Sequence, residues 1–350
     1  MAEVDLKRYR LAGALHQEIF QTQIVPERLG TAVAQRYPVV VFIGGQPGAG
    51  KTATTAMIKH TMGLRGPVAH VCGDFYKPYH PDYSRLLEKD DRTAGAYTRL
   101  DTRLWHAAAE DWVQSRGCHA VVETALADPR EFAETAGRFR AAGTRVEVAV
   151  MGVPEALSRL GIVDRYLRQV EIHGHGRFVA QSNHDACYRG VRETVAAIQT
   201  QETADNVVVF RRGATVVGAA RRDDNGHWVG AQQLAEDVAS ERERPWTIDE
   251  SLRFCTSLNR VALRGGREWY PELRQIAQLA RPLAAEATPL EAAAEGRAGA
   301  RFRDIAELSR ARPASLVPQA PSTIPGGPAA PPSHAGRAAG RRQSAALTRG

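Results

Sequence analysis

Residues Val39 to Thr52 constrain this chain more than any other stretch. They read Val-Val-Val-Phe-Ile-Gly-Gly-Gln-Pro-Gly-Ala-Gly-Lys-Thr. Five apolar residues in a row, three of them β-branched valine, predict a strand buried in a parallel sheet. Gly45, Gln46, Pro47, Gly48, Ala49, Gly50, Lys51 and Thr52 then fit G-x-x-x-x-G-K-[ST], a P-loop. Ala53 to Met62 has the pattern of the helix that follows. Each residue type has a chemical reason. Gly48 and Gly50 let backbone N–H groups turn inward around a phosphate, and the helix N-terminus adds partial positive charge. Lys51 can reach the β- and γ-phosphates, and the Thr52 hydroxyl can ligate Mg²⁺. The spacing therefore points to a nucleoside triphosphate bound with Mg²⁺. It does not say what receives a phosphate.

The stretch that follows alternates between two periods. Val68–Cys72, Ala120–Thr124 and Arg145–Met151 read as strands, and Ala94–Ser115 and Asp128–Ala142 as helices between them. That alternation predicts an α/β fold, a P-loop NTPase-type parallel sheet flanked by helices. Ligands in such sheets sit beyond the carboxyl ends of strands. Two carboxylates are picked out by that rule: Asp74, just past one strand, and Glu123, at the end of the next. A carboxylate there can take a proton from a hydroxyl or hold Mg²⁺ through water; it can equally cap the next turn.

Pro154 to Thr200 reads as two helices broken at Gly174-His175-Gly176, with Arg159, Arg165 and Arg168 in the first and Arg177 opening the second. Planar guanidinium groups on either side of a Gly-rich break suit a lid over a transferred phosphate. Solvated helix charge is the simpler reading of any one of them. His173, His175 and His184 have no carboxylate or cysteine at a recognisable ligand spacing, so surface histidines are expected there rather than a metal. Asn206–Phe210 and Ala214–Val217 follow as short strands, and Asn225-Gly226 as a turn.

At the ends, two helices are predicted within residues 1–36, at Leu6–Gln21 and Pro26–Gln35, with Pro26 in a first helical position. Residues 37–220 form the P-loop domain, and residues 221–311 a helical appendage acting as a buttress. Its helices are expected at Gln232–Arg244, Glu250–Leu263, Trp269–Thr288 with a break at Pro282, and Leu290–Leu308. Residues 312–350 are rich in Pro, Ala and Gly and predict a disordered basic tail. That tail holds five arginines and no acidic residue, so it accounts for most of the net charge of +7 over 350 residues. A near-neutral remainder does not predict a nucleic-acid partner. No apolar run approaches membrane-spanning length, so no membrane partner is expected. An acidic start without an apolar core and four scattered cysteines lead to the expectation of a reducing cytoplasm.

With these residues placed, residues 35–215 or so resemble the zeta toxin family, P-loop kinases of toxin–antitoxin systems. The resemblance rests on an ordered set. The P-loop comes first, then Asp74-Phe75-Tyr76-Lys77-Pro78-Tyr79-His80-Pro81, then Glu123-Thr124. Arg165-Tyr166, Gly176-Arg177-Phe178-Val179, His184-Asp185 and Arg211-Arg212-Gly213 follow. It implies transfer of the γ-phosphate of ATP or GTP to the 3′-hydroxyl of the amino sugar of UDP-N-acetylglucosamine. In that mapping Asp74 is the general base, Lys51 and Thr52 hold phosphate and Mg²⁺, and Glu123 and Thr124 place the sugar. Arg165 and Arg177 neutralise the moving phosphoryl group. It also implies a small helical antitoxin as partner. One departure falls on the acceptor side: family members often carry Glu-Gly-Thr-x-Arg, where this chain has Glu123-Thr124-Ala125-Leu126. A kinase of another small hydroxyl compound (antibiotic, nucleotide or sugar) and a non-catalytic nucleotide-binding regulator are the other readings.

Overall fold

The computed structural model describes residues 7–286 and 288–298. The strands are β1 (Val39–Gly44), β2 (Val68–Cys72), β3 (His119–Thr124), β4 (Arg145–Met151), β5 (Asn206–Arg211), β6 (Thr215–Arg222) and β7 (Trp228–Gly230). Among the described residues they form one sheet in the order β2-β3-β1-β4-β5-β6-β7. β2 to β5 and β1 are parallel; β6 and β7 run antiparallel at one edge. β1 lies between β3 and β4, with Ile43 opposite both Glu123 and Ala149. Val40, Phe42, Val122 and Val148 face one core with Phe132 and Phe139, while Val41, Ile43, Val121 and Met151 face the other. A strand covered on both sides needs apolar residues at every position, which is why this run lacks alternation.

β6 extends beyond the expected Ala214–Val217, and β7 pairs with it across the Asn225-Gly226 turn. The sequence Gly218-Ala219-Ala220-Arg221-Arg222 is poor in strand formers; pairing with β5 decides its conformation.

The two helices expected at the N-terminus are one among the described residues. α1 (Gly13–Ile19) continues without a break as a π-helix over Phe20–Leu29. Pro26 lies inside it rather than at a start, and the wider π turn gives its ring room against the preceding carbonyls. Ile19, Phe20, Ile24 and Leu29 anchor this helix in the sheet core. α2 (Lys51–Gly63) opens directly from the P-loop. α3 spans Tyr83–Lys89. The single helix expected at Ala94–Ser115 is divided into α4 (Ala94–Tyr97) and α5 (Arg99–Ser115). At the junction the buried Thr98 hydroxyl donates back to the Ala94 carbonyl at 3.3 Å, a bond that bends helices. α6 (Pro129–Ala141) is capped by Asp128, whose carboxylate accepts from the Arg130 and Glu131 N–H groups.

α7 (Glu155–His173) ends on Gly174 at φ +76°, a left-handed cap that suits glycine. α8 spans Gln181–Gln201 and does not open at Arg177; residues 175–180 have no regular secondary structure. α9 (Leu234–Glu243) packs on α8, β5 and β6, so the expected boundary at residue 220 falls inside β6. α10 (Ile248–Gly265) begins with a capping box between Thr247 and Glu250. α11 (Tyr270–Ala280) stops before Pro282, and α12 spans Leu290–Ala294. Phe254, Leu258, Leu273, Ile276 and Leu290 close a second core against Ala156, Leu160, Val163 and Leu167 of α7. These late helices therefore buttress α7. The tail 312–350, the end of the expected helix Leu290–Leu308 and the start of that expected from Leu6 lie outside the described residues. Among the described residues no helix is long and apolar enough to cross a membrane.

Candidate active site

The P-loop is built where no side chain fits. Gly48 and Gly50 have φ of +77° and +87°. A Cβ on Gly48 would lie 2.0 Å from the Ser158 carbonyl oxygen of α7, and one on Gly45 2.9 Å from the Met151 Cβ. Gln46, fully buried, anchors the loop. Its Nε2 donates to the Val153 carbonyl at 2.8 Å and lies 3.3 Å from the Ser158 hydroxyl. Its Oε1 accepts from an Arg242 Nη at 3.2 Å. Ser158 lies 2.9 Å from Nε2 of the buried His184, whose Nδ1 faces Asp185 at 3.0 Å. Lys51 Nζ donates to the Gly45 carbonyl at 2.6 Å. Burial lowers its pKa, and the charges of Glu123 and then Asp74 oppose that shift. Thr52 is exposed on the first turn of α2. Left-handed glycines, an ammonium and exposed hard-oxygen donors fit a polyphosphate with Mg²⁺.

Asp74 sits in a single 3₁₀ turn, Gly73–Phe75, directly past β2. Lys77 Nζ donates to its Oδ1 at 2.7 Å and an Arg177 Nη lies 3.1 Å from its Oδ2. Burial alone would raise this carboxyl's pKa, but Lys77 and Arg177, with Arg165 beyond them, hold it well below the usual carboxylate range. It is charged at neutral pH and its side chain is 38% exposed, so it faces solvent as well as its partners.

Glu123 is held differently. It accepts from the Thr55 hydroxyl at 3.2 Å and meets His70 Nε2 at 2.9 Å. Burial raises its pKa, while His70, Lys51 and Thr55 outweigh that and lower it. Its bonds thus lie toward α2 and β2. The Thr124 hydroxyl accepts from the Leu126 N–H at 3.1 Å. Leu126 is left-handed at φ +52° and 2% exposed. A non-glycine residue in that region carries strain. Its side chain is packed so tightly over Gly44 that a Cβ there would lie 2.7 Å from Leu126 Cδ2.

Of the helix arginines, Arg165 feels Asp74: burial lowers its pKa and the Asp74 charge opposes this. Its Nε is buried without a hydrogen-bond partner among the described residues. Arg168 is exposed and pairs with Asp164, as does Arg264. Arg159 is 6% exposed and pairs with Glu272 at 2.7 Å. Lys51, Asp74, Glu123, Arg165 and Arg177 thus form one electrostatic cluster at the carboxyl ends of β1, β2 and β3. A cleft of about 630 Å³, lined by none of these five residues, runs along α7 past Leu160, Asp164, Arg168, Arg212, Phe254 and Arg260 among others. Arg212 abuts the loop, because a Cβ on Gly50 would lie 3.3 Å from its Nε.

Sequence reasoning passed over Lys77, His70, Thr55 and Arg242 as working groups. For Lys77 a signal exists: it lies three residues after Asp74, a spacing at which helical side chains meet. Arg242 gives none, being 196 positions from Gln46.

A family model described as Zeta toxin matches residues 26–223. A Toxin zeta of Streptococcus agalactiae is 26% identical over 134 residues, 38% of this chain and 46% of that toxin. Toxin PezT of Streptococcus pneumoniae serotype 4 is 22% identical over 185 residues, 53% of this chain and 72% of the relative. The chain therefore spans about half the length of the first of these relatives. A solved structure from the PezAT chromosomal toxin–antitoxin system of Streptococcus pneumoniae superposes with a TM-score of 0.62 at 16% identity. It covers 74% of this chain and 100% of the matched one, and shares the fold. Since the family model accounts for more than half of the chain, the protein belongs to the zeta toxin family.

Proposed function

We propose that this protein is a kinase that transfers the γ-phosphate of ATP or GTP to the 3′-hydroxyl of the amino sugar of UDP-N-acetylglucosamine. The observation that carries the reading is Asp74. It is a charged carboxylate beside the P-loop, aimed by Lys77 and Arg177, with Arg165, whose buried Nε has no hydrogen-bond partner among the described residues, within its field.

Lys51 and the loop amides bind the β- and γ-phosphates. The cleft beside Arg212 takes the nucleoside. The exposed Thr52 hydroxyl would hold Mg²⁺, with the Glu123 carboxylate nearby, and the ion would supply charge neutralisation on the phosphates. Asp74 orients the acceptor O–H. As that oxygen bonds to the γ-phosphorus and the bond to the β–γ bridging oxygen breaks, Asp74 accepts the proton and the nucleoside diphosphate leaves. A carboxylate held below its usual pKa is a weak base. That suits a loose transition state in which the hydroxyl proton departs late. Arg165 and Arg177 stabilise the equatorial oxygens as charge spreads over them. Thr124 lines the acceptor side. The helices from Trp246 onward act as a buttress of the kinase domain, and a small antitoxin is the partner, as the relatives' toxin–antitoxin descriptions suggest.

The test is a transfer assay with MgATP and MgGTP against UDP-N-acetylglucosamine and a panel of other UDP-sugars and small hydroxyl compounds, with products located by mass spectrometry. Phosphate on the 3′-hydroxyl of the N-acetylglucosamine unit is the expected result. Transfer to another acceptor with none to this one would overturn the substrate; nucleotide binding without transfer to any would overturn the kinase reading.

A further inference from the structure

Asp91 and Arg92 lie between α3 and α4, outside every motif discussed so far. Both reach across to the segment that joins α7 to α8. The Asp91 carboxylate accepts from the Tyr166 hydroxyl at 3.0 Å through Oδ1 and from the Gly176 backbone N–H at 2.7 Å through Oδ2. The Arg92 guanidinium lies over three rings, 5.3 Å from the centroid of Trp269, 5.7 Å from Phe178 and 6.0 Å from Tyr166. The three rings pack on one another with centroids 5.5 to 6.3 Å apart. They form a cage for a cation, and its walls come from α7, the joining segment and the turn before α11. The Trp269 indole N–H is buried with no partner among the described residues, so ring contacts place it rather than a hydrogen bond.

The segment held this way is the one that carries Arg177. Residues 175–180 have no regular secondary structure. The N–H groups of Gly176 and Arg177 go to side chains instead, those of Asp91 and of Gln169 at 2.9 Å. Gly176 is pressed against its neighbour so closely that a Cβ there would lie 2.7 Å from the Tyr166 ring and from the Tyr166 carbonyl oxygen. One residue further on, Arg177 meets Asp74 at 3.1 Å.

We propose that Asp91 and Arg92 are positioning residues: a latch that fixes residues 174–178 so that Arg177 reaches Asp74, with Trp269 of the late helices as its third wall. This rests on Asp74 standing at the reacting centre. Neither residue touches the P-loop, so the latch governs transfer and leaves nucleotide binding alone. It also gives the late helices a direct part in the acceptor side.

The test uses the full chain with Asp91→Ala, Arg92→Met and the conservative Arg92→Lys. Four readouts are taken: amide exchange over residues 174–180, kcat and KM with MgATP and UDP-N-acetylglucosamine, affinity for a non-hydrolysable Mg·ATP analogue, and melting temperature. Losing a hydrogen bond or cation–ring contact should raise exchange confined to 174–180 by about tenfold. Misplacing Arg177 should lower kcat about ten- to a hundredfold. Analogue affinity should stay within about twofold, and Arg92→Lys should recover most of both losses. Unchanged exchange in 174–180, or raised exchange with unchanged kcat, would overturn the latch. So would affinity and melting temperature falling together with kcat, the mark of a general packing defect. If the wild-type protein phosphorylates no UDP-N-acetylglucosamine, the acceptor reading fails by itself. The exchange arm then decides alone: a local rise upholds the latch and its absence refutes it.

Discussion

Replacing Asp74 with Asn changes one oxygen to an amide and removes one negative charge from a cluster of cations. Three measurable effects follow, with different signs. First, the acceptor loses its proton sink. General-base catalysis typically contributes ~10²–10⁴-fold, so transfer per folded molecule should fall by about that factor. Second, Lys51 loses an opposing charge, and the polyphosphate loses a nearby repulsion. At a separation of ~8 Å and an effective dielectric of ~40–80, that repulsion is ~0.5–1 kcal/mol per unit of phosphate charge. Nucleotide affinity should therefore rise by about two- to sixfold instead of falling. Third, stability should drop only modestly, because the ion pairs involve side chains 21–38% exposed to solvent, where screening leaves little of their value. The pH dependence has a definite sign. A folded-state pKa held below the unfolded one contributes stability above the unfolded value, ~3.9, and loses it as pH falls through the folded value. The stability gap between wild type and Asp74→Asn should thus be flat from neutral pH down to about 5 and close at more acid pH. Turnover by radiolabelled transfer, titration calorimetry with Mg·ATP analogue, and melting curves between pH 3 and 8 check all three. A folded Asn variant with unchanged turnover would refute the base. Weaker Mg·nucleotide binding would show that Asp74 serves the metal instead.

Lys51→Ala should cut transfer by at least about a hundredfold, the scale of losing one donor to developing charge, with nucleotide affinity falling alongside; near wild-type turnover would dismiss the P-loop as the site. Gly48→Ala forces a Cβ to within 2.0 Å of the Ser158 carbonyl at φ +77°, so both melting temperature and nucleotide affinity should collapse. Gly213→Ala meets open space at φ +96° and should cost only backbone strain, about 1 kcal/mol. Burial raises the pKa of Glu110 to about 8 against the pull of Arg138. The folded chain then keeps a proton that the unfolded chain releases, and stability falls as pH rises from ~4.5 towards 8, by at most ~1.4 kcal/mol per unit. Glu110→Gln should flatten that fall in melting curves, and an unchanged slope would show that Glu110 is ionised inside the fold.

The parts legible in the sequence are those set by local chemistry. β1 and its P-loop are written as an apolar run followed by glycines, and Asp74 and Glu123 follow from the rule that ligands sit past strand ends. What the sequence hid depends on distant partners. Pro26 reads as a helix start because nothing nearby signals that the helix widens into a π turn around it. Ala94–Ser115 reads as one helix because the bend at Thr98 comes from a side-chain bond that leaves no periodic trace. β7 is three residues long and exists through pairing with β6. The opening of the second helix at Arg177 fails because the N–H groups there are spent on Asp91 and Gln169 rather than on a helical turn. Arg168 and Arg165 cannot be told apart by spacing; Asp164 separates them by drawing Arg168 outward.

α7 carries two interleaved stripes. Ser158, Gly161 and Ile162 press on Gly48, with Arg165 a turn further along; Ala156, Leu160, Val163 and Leu167 lie in the second core. A helix shared in this way cannot melt with one neighbour and stay folded with the other. The late helices and the P-loop should therefore open as a single cooperative unit. Damage at Leu258 or Ile276, both fully buried, should therefore be passed through the mounting of α7 to Gly48 and Arg165.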